Sequence, residues 1–161
     1  MSRDKTRKTS DGELTRLRKL VATEASDGLM LSTNLEDNPI CSVSLDETIP
    51  GITVIWKRYA TSAQLRFVHE AIIDMLITHK VGKILGDDTE LPTIHTDDQD
   101  WIVRNWMPRA CAAGLRAAAS KQTSHFFCKL ATDTIQSHAP DEIRMESFEN
   151  LDDAKRWLQG A

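Results

Sequence analysis

A chain of 161 residues with 40% apolar and 27% charged side chains has the composition of one globular domain. That length allows a core without disulfide or metal support, and apolar runs of only a few residues exclude a membrane-spanning segment. The net charge of −4 is unevenly spread: residues 1–20 carry seven Lys/Arg against three Asp/Glu, which leaves the rest of the chain at −8. An acidic body repels phosphate backbones, so no nucleic-acid partner is expected. Cys41, Cys111 and Cys128 are widely spaced in apolar surroundings, as reduced thiols are, and the polar N-terminus offers no signal-peptide core. A cytoplasmic protein is expected.

Residues 1–11 read as a polar arm. In residues 13–24, Leu14, Leu17, Leu20 and Val21 recur at helical spacing among Arg and Lys, which predicts a short amphipathic helix. Gly28 and the polar run at 32–39 then read as a linker, dividing the chain into an extension over 1–38 and a domain over 39–161. From Ile40 the pattern alternates through Cys41, Val43 and Leu45, and after a turn-rich stretch it resumes at Ile52, Val54 and Trp56, which predicts a β-hairpin.

Thr61-Ser62-Ala63-Gln64 has the form of a capping box, opening a helix with Leu65, Val68, Ile72, Met75 and Leu76 on one stripe and an end near His79, before Gly82. Residues 83–86 predict a short strand parallel to an earlier one. Thr96-Asp97-Asp98-Gln99 reads as a second capping box, followed by a helix that ends near Gly114 and is kinked or broken at Pro108. A strand at 115–119, a helix at 124–136 with Phe127, Leu130, Ala131 and Ile135 as its apolar residues, a strand at 143–148 and a helix capped by Asn150 complete the pattern. The fold class is α/β: a mixed sheet of about five strands, mostly parallel with the first strand antiparallel, in ββαβαβα order.

Four segments, WKRYATS (56–62), HKVGKILGDDTELPTI (79–94), DDQDWIVRNWMPRACAAGL (97–115) and SFENLDDAKRWL (147–158), resemble bacterial STAS/SpoIIAA-like proteins. The resemblance spans residues 40–158, and its most specific parts are Asp-Gln-x-Trp and Trp-Met-Pro-Arg-Ala. It implies a compact sheet with helices, in a superfamily that also holds the CRAL-TRIO lipid carriers. In the anti-sigma-factor antagonists of that group, phosphorylation of a serine in an Asp-x-Ser-Gly motif switches partner binding. The corresponding stretch here, residues 86–100, lacks that motif.

That stretch, GDDTELPTIHTDDQD, carries six acidic residues and no Lys or Arg. As a binding loop at strand ends it has the charge of a cation site or an acidic interface, but Asp97 and Asp98 also belong in the first turn of a helix for electrostatic reasons. Asp87, Asp88, Thr89 and Thr96 are its candidate switch residues, with phosphorylation of Thr89 or Thr96 opposed by the neighbouring carboxylates. Trp101, Trp106, Met107 and Arg109 form a candidate interface or pocket wall, set against ordinary core burial, with Arg104 and Arg109 as rim charges or ion partners of the acidic loop.

His69, His79, His95, His125 and His138 are scattered and read as structural or exposed; no metal or cofactor is assigned. No nucleophile stands beside a base and no glycine-rich phosphate loop occurs, which weighs against an enzyme. The leading expectation is a non-enzymatic regulatory or protein-interaction module that docks a protein partner or a second copy as a homodimer. A carrier or sensor of a small apolar ligand such as a lipid is the alternative, and an enzyme of unknown reaction comes third.

Overall fold

The computed structural model describes residues 35–161, so the amphipathic helix expected at 13–24 lies outside the described residues. The elements are β1 (Cys41–Asp46), β2 (Gly51–Trp56), α1 (Ser62–His79), β3 (Lys83–Asp87), α2 (Thr96–Trp101), a π-helical segment (Ile102–Trp106), α3 (Met107–Ala112), β4 (Ala117–Lys121), α4 (Phe126–Ser137), β5 (Arg144–Phe148) and α5 (Leu151–Gly160). With α2 through α3 counted as one helical run, the order is ββαβαβαβα, one βα repeat longer than the shorthand drawn from sequence. A 3-10 turn at Leu35–Asp37 leads into the domain, and Asn38 Oδ1 accepts the Ile40 amide at 2.9 Å.

The five strands lie in the order β1-β2-β3-β4-β5. The β1–β2 hairpin is antiparallel, pairing Cys41 with Trp56 and Asp46 with Gly51, and the remaining pairs are parallel. Parallel strands laid down sequentially through right-handed crossovers place every crossover helix on the same face. Accordingly, α1, α2–α3 and α4 share one core with β1 and β2, built on Val43, Val54, Trp56, Leu65, Ile102 and Ile135. The final helix, α5, follows the last strand and covers the opposite face, packing Ala154 and Leu158 on Leu85, Ala117 and Ala119.

Local signals account for most boundaries. At α1 the Thr61 hydroxyl accepts the Gln64 amide at 3.3 Å and Gln64 Oε1 accepts the Thr61 amide at 2.9 Å, completing the capping box. The helix ends on Lys80 in the left-handed conformation, φ 53°, rather than on Gly82. Gly82 is needed for a different reason: a Cβ there would lie 2.7 Å from the Gly114 carbonyl oxygen, so only glycine lets the two turns touch. Gly114 itself sits at φ 114°, where side chains are strained.

The second capping box is not formed. His95 occupies the N-cap of α2 without a side-chain cap, Thr96 is already helical, and Gln99 Nε2 donates to the Ile94 carbonyl at 2.8 Å. The helix starts one residue earlier than a Thr96 cap requires, and its Asp98 is drawn inward to α1. Pro108 neither breaks nor ends the helix. It follows a turn that widens so that the Met107 amide reaches back to the Ile102 carbonyl, and the helical run continues through it. Asn150 caps α5 as expected, accepting the Asp153 amide at 2.9 Å. On α4 the buried residues are Cys128, Ala131 and Ile135, while Phe127 and Leu130 are 69% and 55% exposed, which corrects the apolar stripe drawn from sequence.

Among the described residues no helix is long and apolar enough to cross a membrane. Cys41, Cys111 and Cys128 are unpaired thiols.

Candidate functional site

Between the sheet and its crossover helices lies a cavity of about 140 Å³. Its floor is the helix-facing side of β2, β3, β4 and β5, with Val54, Ile84, Gly86, Ala118, Ser120 and Met145. Leu65, His69 and Ile72 of α1 and Ile102, Trp106 and Met107 of the following helices form one wall, and Thr132, Ile135 and Gln136 of α4 the other. Small residues at the strand centres create the space, since Gly86 and Ala118 withhold the volume that Val or Ile would fill. A partly open space of this size, lined mostly by apolar atoms, has room for a benzene-sized molecule.

Asp88 places a carboxyl in this lining one residue beyond the end of β3. Binding loops belong at this end of a parallel sheet. Among the described residues its carboxyl receives no side-chain or backbone hydrogen bond, although the Asp88 carbonyl accepts the Leu91 amide at 3.0 Å to close the turn. Burial pushes the Asp88 carboxyl up to about 7, and the neighbouring Asp87 charge adds to the rise. Burial likewise pushes the Cys41 and Cys128 thiols up to about 12, with the Asp88 charge contributing to both.

His69 is another polar group of the lining, at a position where the sequence suggests only a structural or exposed residue. Its Nδ1 lies 2.8 Å from the Leu65 carbonyl, which can only accept, so Nδ1 carries the proton. Burial lowers the ring to about 4, keeping it neutral, and Nε2 is therefore an unprotonated acceptor. The ring packs against Trp56, Trp101 and Trp106, with centroid distances of 6.4, 6.0 and 4.9 Å. Trp106 Nε1 donates to the His69 carbonyl at 2.6 Å and ties the aromatic wall to α1.

The four candidate wall residues are divided by the structure. Trp106 and Met107 are buried and line the cavity. Trp101 lies outside that lining, with the Arg66 guanidinium 5.1 Å and that of Arg109 6.0 Å from its ring centroid. Arg109 pairs with Glu70 of α1 through both guanidinium nitrogens, not with the acidic loop, and this contact holds its pKa above the ordinary arginine value. The acidic loop's own ion pair is with Arg66: Asp98 Oδ1 accepts Arg66 Nε at 2.9 Å and Oδ2 accepts the Ser62 hydroxyl at 2.6 Å, with the Asp98 side chain 2% exposed.

The candidate switch loop is likewise split. Only Asp88 enters the cavity lining. The Thr89 hydroxyl and amide both donate to Asp87 Oδ1, which folds the loop back on the strand end. Thr96 is exposed at the start of α2. No group of three or more His, Cys, Asp or Glu among the described residues is arranged to hold a metal ion. Compared with known proteins, the chain matches no protein-family model and no curated protein.

Proposed function

We propose that this protein is a small-molecule binding domain, a carrier or sensor whose ligand is mainly apolar and enters the cavity between the sheet and α1, α2–α3 and α4. The observation that carries this reading is a void of about 140 Å³ walled by Val54, Ile72, Ile84, Ile102 and Trp106, with the Asp88 carboxyl and the His69 imidazole among its polar groups. An apolar pocket holding a few convergent polar groups, one with a displaced pKa, is the usual form of a ligand site. The resemblance to STAS/SpoIIAA-like proteins, whose superfamily includes lipid carriers, supports the same reading. Its size limits the ligand: the void admits a single ring or a short branched chain, and a full-length lipid would have to extend beyond it. A cytoplasmic setting belongs to the proposal and is supported by the three unpaired thiols.

A second reading, docking of a protein partner or a second copy, is favoured by Phe126, Phe127 and Leu130, which are 71%, 69% and 55% exposed on α4. Contiguous exposed apolar side chains of this size are characteristic of interaction surfaces.

Native mass spectrometry of gently purified protein, followed by a denaturing run, tests the first reading. The expected result is a bound mass on the order of 100 Da that departs on denaturation, matching one ring-sized occupant. A clean protein mass, together with no uptake of added toluene or indole, would overturn it.

A further inference from the structure

We infer that the ligand of this cavity is a small apolar amine, its ammonium group paired with Asp88; this rests on the binding-domain reading above. The inference comes from the balance of donors, acceptors and charges in the lining. No Lys or Arg lines the cavity, so an apolar carboxylate or phosphate would find no counter-charge. The nearby cations are engaged elsewhere: Arg66 with Asp98, Arg109 with Glu70, Lys57 with the Asn38 carbonyl and Lys83 with the Leu158 carbonyl.

Several donors of the lining are also spent. The Ser147 hydroxyl donates to Gln136 Oε1 at 3.2 Å, so the Ser120 hydroxyl, 3.3 Å from Ser147 Oγ, must be the donor of that pair. Gln136 Nε2 donates to the Met145 carbonyl and the Thr132 hydroxyl to the Lys129 carbonyl. Trp106 Nε1 is held by the His69 carbonyl. What remains toward a ligand is rich in acceptors: the Asp88 carboxylate, His69 Nε2 and the lone pairs of Ser120.

A half-buried carboxylate with no cation beside it in an apolar lining favours an incoming positive charge, and an ammonium is the group that satisfies both its charge and its acceptor capacity. Its titratable surroundings reinforce the choice. Asp87 of β3 and Glu146 of β5 are acidic, Cys41 of β1 and Cys128 of α4 are held protonated, and His69 of α1 is neutral. No ionised base among them competes for Asp88.

Calorimetric titration of the full chain with toluene, benzyl alcohol, benzylamine and benzoate, at pH 6 and pH 8, tests the inference. Benzylamine is expected to bind at least tenfold more tightly than benzyl alcohol at pH 8. Its affinity should fall about tenfold at pH 6, where a carboxyl titrating near 7 is mostly protonated. In Asp88→Asn, benzylamine should drop to the level of the alcohol, while toluene binding persists and shows that the cavity is intact. Toluene and alcohol binding with no preference for the amine, or a preference for benzoate, would overturn the inference and leave the binding-domain reading standing. Failure of all four compounds to bind would instead remove the binding-domain reading, and the inference with it.

Discussion

On one face of the sheet, α5 rests on Ala117 and Ala119, with Leu85, Ala154 and Leu158 buried and small side chains letting the helix approach closely. On the other face, α1, α2–α3 and α4 bring large side chains, Trp101 and Trp106 among them, against strands that offer Gly86, Ala118 and Ser120, and a cavity of about 140 Å³ is left between them. Small residues on the strands therefore have opposite consequences. Beneath a single helix with an Ala at the contact they close the gap; beneath a layer propped apart by indoles they open one. The tightly packed face serves stability, and the propped face holds Asp88 and His69, the two cavity groups with displaced pKa values.

The largest expected effect lies on the tight face. Leu158→Ala removes a fully buried side chain with no room for collapse and should cost about 2–5 kcal/mol in chemical denaturation. The reverse change on the propped face, Ala118→Val, adds volume to existing space and should alter stability by less than about 1 kcal/mol while weakening toluene binding. Equal losses at both positions would erase the distinction between the faces.

Next in size is the tie that holds α2 against α1. Arg66→Ala leaves the Asp98 carboxylate buried with only Ser62 as partner and should destabilise by roughly 1–3 kcal/mol, a range set below that of a fully buried pair because Arg66 is partly exposed. Urea denaturation, read by tryptophan fluorescence, would report both the loss and any loosening around Trp101.

The pH dependence separates the two cavity groups. Asp88, raised to about 7 from a usual 3.8, favours the folded state at low pH and loses that contribution as pH rises through 7. His69, lowered to about 4 from 6.5, acts in the other sense: its contribution is present above 6.5 and is lost as pH falls toward 4. The two slopes oppose each other between pH 4 and 6.5. Asp88→Asn should therefore uncover a steeper rise of stability with pH in that interval, measured by denaturation at a series of pH values. An unchanged slope would show that Asp88 is solvated like a surface carboxylate. The smallest effect belongs to the exposed patch: Phe127→Ser should change stability by no more than about 0.5 kcal/mol, because Phe127 packs little within the domain.

Much of the fold was legible because its signals are local. Alternation at Cys41, Val43 and Leu45, the Thr61–Gln64 box, the stripe through Leu65, Val68 and Ile72 and the Asn150 cap each depend on residues close in sequence. Misreadings occurred where a distant partner decided the outcome. Thr96-Asp97-Asp98-Gln99 has the letters of a cap, but the helix opens at His95, and Asp98 is engaged by Arg66 and Ser62, more than thirty positions away. Phe127 and Leu130 look like core, yet α4 buries Cys128, Ala131 and Ile135 instead. Trp106, Met107 and Asp88 were singled out as candidates, but their meeting in one cavity depends on strand order. His69 carried no signal, because a lone histidine on a helix shows its aromatic enclosure only once Trp101 and Trp106 are in place.

Xenon pressurisation of a crystal tests the contrast between the faces most directly. Ordered xenon beside Ile84, Ile102 and Trp106, with none beneath α5, is the expected result. A structure in which no xenon enters between the sheet and the crossover helices, or in which it lodges between α5 and Ala117, would contradict the assignment of the ligand site.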